Sequence, residues 1–341
     1  MKATLRIAGF LALAGISAGL WIHAQDSDQT TFRVKVDMVV LGFTVTDQKG
    51  KYVNGLKPKD FKVYEDEIPE KISTFAEGNH APLQVLDNGE TRPIHGNAAA
   101  LTGPGGIPPS PDVVNLRADS AGTNVFVLFD TSNYMYRGFV YASDAIADFI
   151  RGLDRADSVA VYTYSRNLNR AVPLARDRTM AIAGLRNAVA GDDSALYNCL
   201  LLTVRDAARV PGRKVVIVFS NGPDNASMVA PDDVRAVAED EGIPIYVIST
   251  SELNKDPVSA ATFKRISTNT GGKSYFAKTW QKQVEAFESI REDLGNSYTI
   301  TYYPQPNPNE GFRRIRVDIT SEAAKKYKIR ARPGYRPQRG L

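Results

Sequence analysis

The chain has 341 residues, a formal charge of +4, three histidines and one cysteine. A lone cysteine excludes an intramolecular disulfide, so the fold rests on apolar burial, and the length gives room for two domains. The charge is too small to point to a class of partner.

Residues 1–24 begin with Lys2 and Arg6, continue with an apolar stretch over 7–22, and offer the small residue Ala24 before polar Gln25 and Asp26. This is the pattern of a secretory signal peptide cut near Ala24, which makes the mature protein exported, periplasmic or extracellular. An uncleaved anchor is the alternative, but the stretch is short for a span of about 20 residues. No cysteine stands near the cleavage site, which excludes a lipoprotein anchor, and no later segment is apolar enough to span a membrane. Cleavage lowers the charge from +4 to +2, because the leader holds two basic residues and no acid.

Residues 31–78 alternate. Val34, Val36, Met38 and Val40, then Phe43 and Val45, predict a strand that ends at the turn Asp47-Gln48-Lys49-Gly50. Further short strands are expected over 53–56, 60–64 and 72–75, giving a small β-sandwich-like module. Residues 79–121, with Gly103-Pro104-Gly105-Gly106 near their centre, are expected to form a linker or long loop without regular structure.

Strands and helices then alternate over 122–295. Apolar runs at 125–129, 159–164, 215–219 and 245–248 predict strands, with a shorter one over 272–276. Helical spacing covers 141–153, 179–190, 195–210, 231–241, 258–270 and 280–294. Repeated β–α alternation predicts an α/β domain: a doubly wound, mostly parallel sheet with helices on both faces. In such folds ligands bind beyond the carboxyl ends of the strands, and the run Val125-Phe126-Val127-Leu128-Phe129 delivers Asp130, Thr131 and Ser132 to that edge. Residues 296–337 return to strands, at 297–303, 313–320 and 327–332, which are expected to join the N-terminal β module to bury two small apolar faces. Basic residues crowd this stretch, among them Arg313, Arg314, Arg316, Arg330 and Arg332. Either they coat exposed strand faces, which protects edges, or they form a surface for anionic envelope components. No aromatic-basic interleaving of a nucleic-acid motif is present.

With these elements placed, the chain resembles the bacterial exported VWFA-related domain family, a branch of the von Willebrand factor type A group. The likeness rests on Asp60-Phe61-Lys62-Val63-Tyr64-Glu65-Asp66 and Lys71-Ile72-Ser73-Thr74-Phe75, then on Asp130-Thr131-Ser132, Ser194-Ala195-Leu196-Tyr197 and Asn221-Gly222-Pro223-Asp224-Asn225. It ends on Tyr302-Tyr303-Pro304, Phe312-Arg313-Arg314-Ile315 and Arg332-Pro333-Gly334-Tyr335. The resemblance implies a metal-ion-dependent adhesion site, in which an Asp-x-Ser-x-Ser loop, a distant Thr and a distant Asp hold Mg²⁺ or Mn²⁺. Hard cations take oxygen ligands, and an open coordination position accepts a partner's carboxylate.

Here Asp130 and Ser132 are intact, Tyr134 replaces the second Ser, Ser194 replaces Thr and Asn221 replaces Asp. Asp224, or Asp192 and Asp193 beside Ser194, could restore charge. Two outcomes are open: a working cage of Asp130, Ser132, Ser194, Asn221 and Asp224, or a metal-free relic whose polar groups hydrogen-bond one another. Tyr134 and Tyr136 are expected to be exposed near the Asp130 loop and, with Asp193, to contact a partner. Gly271-Gly272-Lys273-Ser274 is expected to be a turn, since the glycine that a phosphate loop needs is absent.

An inventory of reactive groups argues against an enzyme. His23, His80 and His95 all fall outside the α/β domain, and Cys199 lies in a helical pattern where a small buried residue is expected. The expected function is an exported binding module for a protein or peptide; the alternative is a structural envelope protein docking through its β module and basic C-terminal strands.

Overall fold

The computed structural model describes residues 38–94, 122–251, 255–320 and 326–337. The expected leader and the linker stretch 95–121 lie outside these residues, as does the side chain of Tyr136.

Alternation decides the first strands. In β1 (Val39–Thr46), Val39, Leu41, Phe43 and Val45 are all buried, as a period of two requires for one inward face. β2 (Phe61–Glu65) buries Phe61 and Val63 and exposes Lys62. It turns into β3 (Ile68–Glu70) through Asp66 and Glu67, both left-handed with φ of 48° and 67°. Asp66 tolerates this because its carboxylate accepts hydrogen bonds from Arg314 N and from the side-chain amides of Asn307 and Asn309. β4 (Ile72–Glu77) follows.

The expected strand over 53–56 is absent: Tyr52 makes one isolated bridge to Thr46, while Val53 and Leu56 pack onto the core from a loop. Conversely, β5 (Leu83–Val85) and β6 (Thr91–Pro93) form a hairpin inside the stretch expected to be structureless. Its turn closes at Gly89, with φ of 79°.

The α/β domain runs β7 (Asn124–Asp130), α1 (Phe139–Arg151), β8 (Ser158–Tyr164), β9 (Leu168–Ala175), α2 (Arg178–Arg186), α3 (Leu196–Ala208) and β10 (Lys214–Ser220). It continues through α4 (Pro231–Asp240), β11 (Ile245–Ser249), α5 (Pro257–Asn269), β12 (Ser274–Phe276) and α6 (Trp280–Gly295). Sheet order is β12-β11-β10-β7-β8-β9, parallel except for the antiparallel edge strand β9. Alternate residues of β7 face opposite cores: Val125, Val127 and Phe129 pack with α1 and α6, and Phe126 and Leu128 with α3 and α4. Continuous apolar runs therefore mark strands buried on both faces.

The last strands, β13 (Ser297–Tyr302), β14 (Arg313–Ile319), β15 (Lys328–Ala331) and β16 (Gly334–Tyr335), rejoin the first. β1 pairs with both β13 and β15, and β14 pairs with β2, all antiparallel, giving sheets β15-β1-β13-β4-β5-β6 and β16-β14-β2-β3. Between them Phe43, Phe61, Phe75 and Tyr298 pack with ring centroids 5.2–6.0 Å apart. The β module is discontinuous, as the strand pattern predicts.

Arginines stitch this module to the α/β domain. Arg213 donates to Gly78 O, to Leu294 O at 3.1 Å and to Ser297 Oγ at 2.6 Å. Arg330 pairs with buried Asp293 at 2.6 Å, which also accepts Tyr52 OH at 2.5 Å. Buried Arg332 donates to Glu239 O and to Val40 O at 3.1 Å. Arg313 pairs with buried Glu65 at 2.9 Å, and Arg316 with Glu67 and Asp318. Much of the basic C-terminal stretch is thus used internally. No helix among the described residues is long and apolar enough to cross a membrane.

Arg332→Met removes the donor that Glu239 O and Val40 O share, and charged hydrogen bonds of this kind contribute about 1.5–3 kcal/mol each. The expected result is a lower urea midpoint with an unchanged slope. An unaltered midpoint would show that the junction adds nothing to stability.

Candidate functional site

Parallel register builds the site. Asp130 lies beside Tyr164, Phe129 beside Phe219, and Ser220 beside Ser249, so the strands β11, β10, β7 and β8 end on a row Ser249, Ser220, Asp130, Tyr164. All four are buried. Asp130 has no exposed surface: its Oδ1 accepts Ser132 N at 2.9 Å, and its Oδ2 accepts Ser220 Oγ at 2.7 Å. The Tyr164 hydroxyl stands 2.9 Å from Asp130 Oδ2 and 3.1 Å from Ser220 Oγ, with one proton to give between them. Sequence reasoning missed Tyr164 and Ser220; the signal was there, since each ends an apolar strand with a hydroxyl.

Loops crowd over this row. Gly191 N donates to Thr131 O at 2.8 Å and Asn133 N to Asp192 O at 3.2 Å, tying the loop after β7 to the loop before α3. Asn225 and Ser194 bond reciprocally, Ser194 N to Asn225 Oδ1 at 2.8 Å and Asn225 N to Ser194 O at 3.0 Å. Asn221 Nδ2 donates to Tyr134 O at 2.8 Å. Gly222, with φ of 118°, takes a backbone shape that side-chain-bearing residues avoid and turns its N–H onto Ser220 Oγ.

Three oxygens at this edge are unpaired. Ser132 Oγ, Ser194 Oγ and Asn221 Oδ1 are buried without a hydrogen-bond partner. Ser132 Oγ lies beside the Asp130 carboxylate and lowers its pKa, and the Ser194 hydroxyl lies beside the Tyr164 phenol, yet neither closes a sound bond. The expectation that Asp130, Ser132, Ser194 and Asn221 satisfy one another is thus met only between Ser132 N and Asp130.

Asp224 does not add charge here, contrary to expectation. Its Oδ2 accepts Tyr197 N at 3.0 Å, and its Oδ1 accepts Ala226 N at 3.2 Å and Ser227 N at 2.9 Å. α3 has no side-chain cap at Ala195, so Asp224 supplies one from the neighbouring loop. Half-buried Asp193 is paired with Arg166 at 3.0 Å and accepts Asn225 Nδ2 at 3.2 Å, while Asp192 is exposed.

Residues 124–290 match the sequence profile of the von Willebrand factor type A domain. This stretch is a von Willebrand factor type A domain. No curated protein matches the chain. Similar solved structures include the conserved hypothetical protein BatB from Bacteroides thetaiotaomicron, 17% identical, covering 51% of this chain and 97% of that one, with a TM-score of 0.42. The vWF domain of the type V pili tip protein Mfa5 from Porphyromonas gingivalis is 10% identical, covers 55% and 98%, and has a TM-score of 0.44. A von Willebrand factor type A protein from Catenulispora acidiphila is 14% identical, covers 59% and 63%, and scores 0.41.

The residues of this vWA edge can be weighed against Mg²⁺ or Mn²⁺. The donors are hard oxygens, three of them unpaired, which suits such a cation in kind. Charge does not suit it: Asp130 is the one carboxylate in the row, its Oδ2 already accepts hydroxyl hydrogen bonds, and Asp224 is spent on backbone N–H groups. Among the described residues no three His, Cys, Asp or Glu side chains gather to hold a metal ion. The set fits a divalent ion poorly.

Exposed apolar side chains stand at the same end of the domain as this polar row. Nine large hydrophobic residues are exposed among the described residues. Seven stand at this end of the vWA domain: Val189 in the loop before α3, and Tyr134, Val140, Tyr141, Met228, Val258 and Trp280 in loops that follow parallel strands or in the first turns beyond them. Only Met180 and Leu202 lie elsewhere. Tyr134 is 43% exposed and Met228 95%, whereas Met135 is buried and Phe139 packs onto the core.

Burial raises the Asp130 pKa above its ordinary 3.8, against the pull of hydrogen bonds from Ser220, Ser132 and Tyr164. Folding thus favours the protonated acid, whose stabilising contribution is complete below about pH 3.8 and is lost as pH rises through the folded value. At pH 7 the ionised carboxylate destabilises the fold. Asp130→Asn should therefore raise stability at pH 7, because the neutral amide carries no charge to desolvate. The gain should shrink as pH falls toward 4 in thermal melts; a less stable variant at pH 7 would mean that the hydrogen bonds outweigh desolvation.

Proposed function

We propose that this chain is an exported, non-enzymatic module that captures a protein or peptide partner at the carboxyl edge of its vWA domain. One observation carries the reading: among the described residues, seven of the nine exposed large hydrophobic residues stand at the same end of the domain as the buried polar row. Isolated surface hydrophobics need no explanation, but a collection at one end of a domain marks an interaction surface. Export rests on the leader pattern of residues 1–24.

The available reactive groups agree with a binding role. Cys199 is buried and its thiol is pushed up to about 12, chiefly by burial, so it is no nucleophile. His80 is exposed in the β module, with Nδ1 2.8 Å from Glu77 O. Envelope docking through the basic strands draws no support, because Arg313, Arg316, Arg330 and Arg332 already face internal partners.

Photo-crosslinking in the producing cell tests the reading. A benzophenone side chain at Tyr134 or Val258 should trap one common partner, and the same group at Leu202 or Met180 should not. Equal trapping from Leu202 would move the interface away from this edge. Metal dependence is checked separately by calorimetry: wild type should give no saturable Mg²⁺ or Mn²⁺ binding at low millimolar concentration. Tyr134→Ser with Asn221→Asp, which supplies a hydroxyl and a second carboxylate, should gain it. Saturable wild-type binding that disappears in Asp130→Ala would establish a metal-dependent site instead.

A further inference from the structure

The unpaired oxygens define the chemistry of the group this edge is built to receive. From the geometry and charge of the pit we infer that it takes a primary ammonium, the side chain of a lysine presented by the protein partner. The inference rests on the reading of this edge as the binding site.

Three independent features point to that group. Ser132 Oγ, Ser194 Oγ and Asn221 Oδ1 are three buried acceptors without partners, and an ammonium carries three N–H donors and no acceptor. Desolvated polar atoms are normally paired in folded proteins, so three unpaired ones on a single sheet edge offer acceptors that a ligand's donors can fill.

Charge is the second feature. Asp130 brings one negative charge, enough to balance an ammonium and too little for a dication, which would stay partly uncompensated in a buried site. Arg166, a cation of the chain itself in the loop after β8, is drawn off by Asp193. A guanidinium is planar and wants a matching flat fork, whereas these acceptors come from three separate loops.

The third feature is the surface outside the pit. Exposed Asp192 adds acid near the mouth, and Tyr134 and Met228 give apolar cover for a four-carbon stem. The three oxygens are closed to solvent in this conformation. Entry therefore requires the loop at Tyr134 to part from Asn221 Nδ2, a contact of one hydrogen bond.

Amide chemical shifts of Ser132 and Ser194 in the ¹⁵N-labelled protein test the inference, at constant ionic strength. The probes are propylammonium, tetramethylammonium, guanidinium, K⁺, Mg²⁺, and an acetyl-Leu-Lys-Leu-amide peptide beside its norleucine analogue. Propylammonium and the lysine peptide should shift both amides saturably, the peptide at least tenfold more tightly. Asp130→Asn, which keeps the fold, should weaken both at least tenfold, and tetramethylammonium and the norleucine peptide should do nothing. Silence with propylammonium, or equal saturation by K⁺, guanidinium or Mg²⁺, overturns the inference. A peptide no tighter than propylammonium would assign the pit to a free small amine and overturn the lysine reading. If crosslinking at Tyr134 still traps a partner while propylammonium is silent, the edge binds by other chemistry; if both fail, the edge itself is wrongly assigned.

Discussion

A carboxylate with no exposed surface at the end of the central strand is the constraint on which the rest of this edge depends. Asp130 is accommodated there by donors brought from its neighbours, and parallel register supplies them from the strand ends on either side, Tyr164 and Ser220. Those two hydroxyls belong to strands most of whose residues are committed to one of two apolar cores. The core therefore fixes the site: shifting β8 by one residue would turn Tyr164 to the wrong face and strip Asp130 of a donor. What remains unfilled, the oxygens of Ser132, Ser194 and Asn221, comes from loops rather than strands, where backbone bonds have been spent on tying one loop to another. Rigidity belongs to the carboxylate and adaptability to the loops around it.

Much of the fold was legible in the sequence because burial on both faces writes itself as an uninterrupted apolar run. The strands at 124–130, 158–164, 214–220 and 245–249 were read to within a residue or two, and the return of the last strands to the first follows from faces too small to be buried alone. The failures share a cause. β9 carries Asn169 and Arg170, which face outward from an edge strand, so its pattern lacks the run that marks its neighbours. The hairpin of β5 and β6 has strands of three residues, too short for alternation to register, and Asn88-Gly89, a strong turn signal, was absorbed into the polar stretch that follows. Residues 53–56 look like a strand but are held by the Tyr298 hydroxyl, which accepts Leu56 N at 3.2 Å and donates to Val53 O at 2.8 Å. A side chain 242 positions away from Leu56 replaces a ladder that local pattern had promised.

At the candidate site the same limit appears in chemical form. Residue type and spacing placed Asp130, Ser132, Ser194 and Asn221 at one edge, because strand ends and the loops after them are fixed by topology. Spacing carries no information on what else competes for a carboxylate. Asp224 stands three residues from Asn221 and seemed free to add charge, yet α3 opens without a capping side chain and draws it away. An acid near a helix start has a standing use, and three backbone N–H groups outbid a weak cage. Tyr164 was overlooked for the opposite reason: a tyrosine at the end of a buried strand reads as core, and only its register partner shows that the hydroxyl matters.

The opposite end of the vWA domain explains why these loops are free to serve binding. Arg213, Arg330 and Arg332 attach the β module at the amino end of the sheet, through carbonyls of β1, of the turn before β12 and of the end of α4. Each guanidinium donates to carbonyls at a helix end or turn, so the junction supplies capping as well as adhesion. Its polar groups are buried and mutually paired, as an internal interface requires, while the apolar residues it might have used stand at the other end in solvent. A chain that covers one edge of its sheet with a second module and leaves Tyr134, Met228 and Val258 uncovered at the other has divided the two edges by role. The covered edge holds the molecule together, and the uncovered one carries seven of the nine large hydrophobic residues exposed among the described residues.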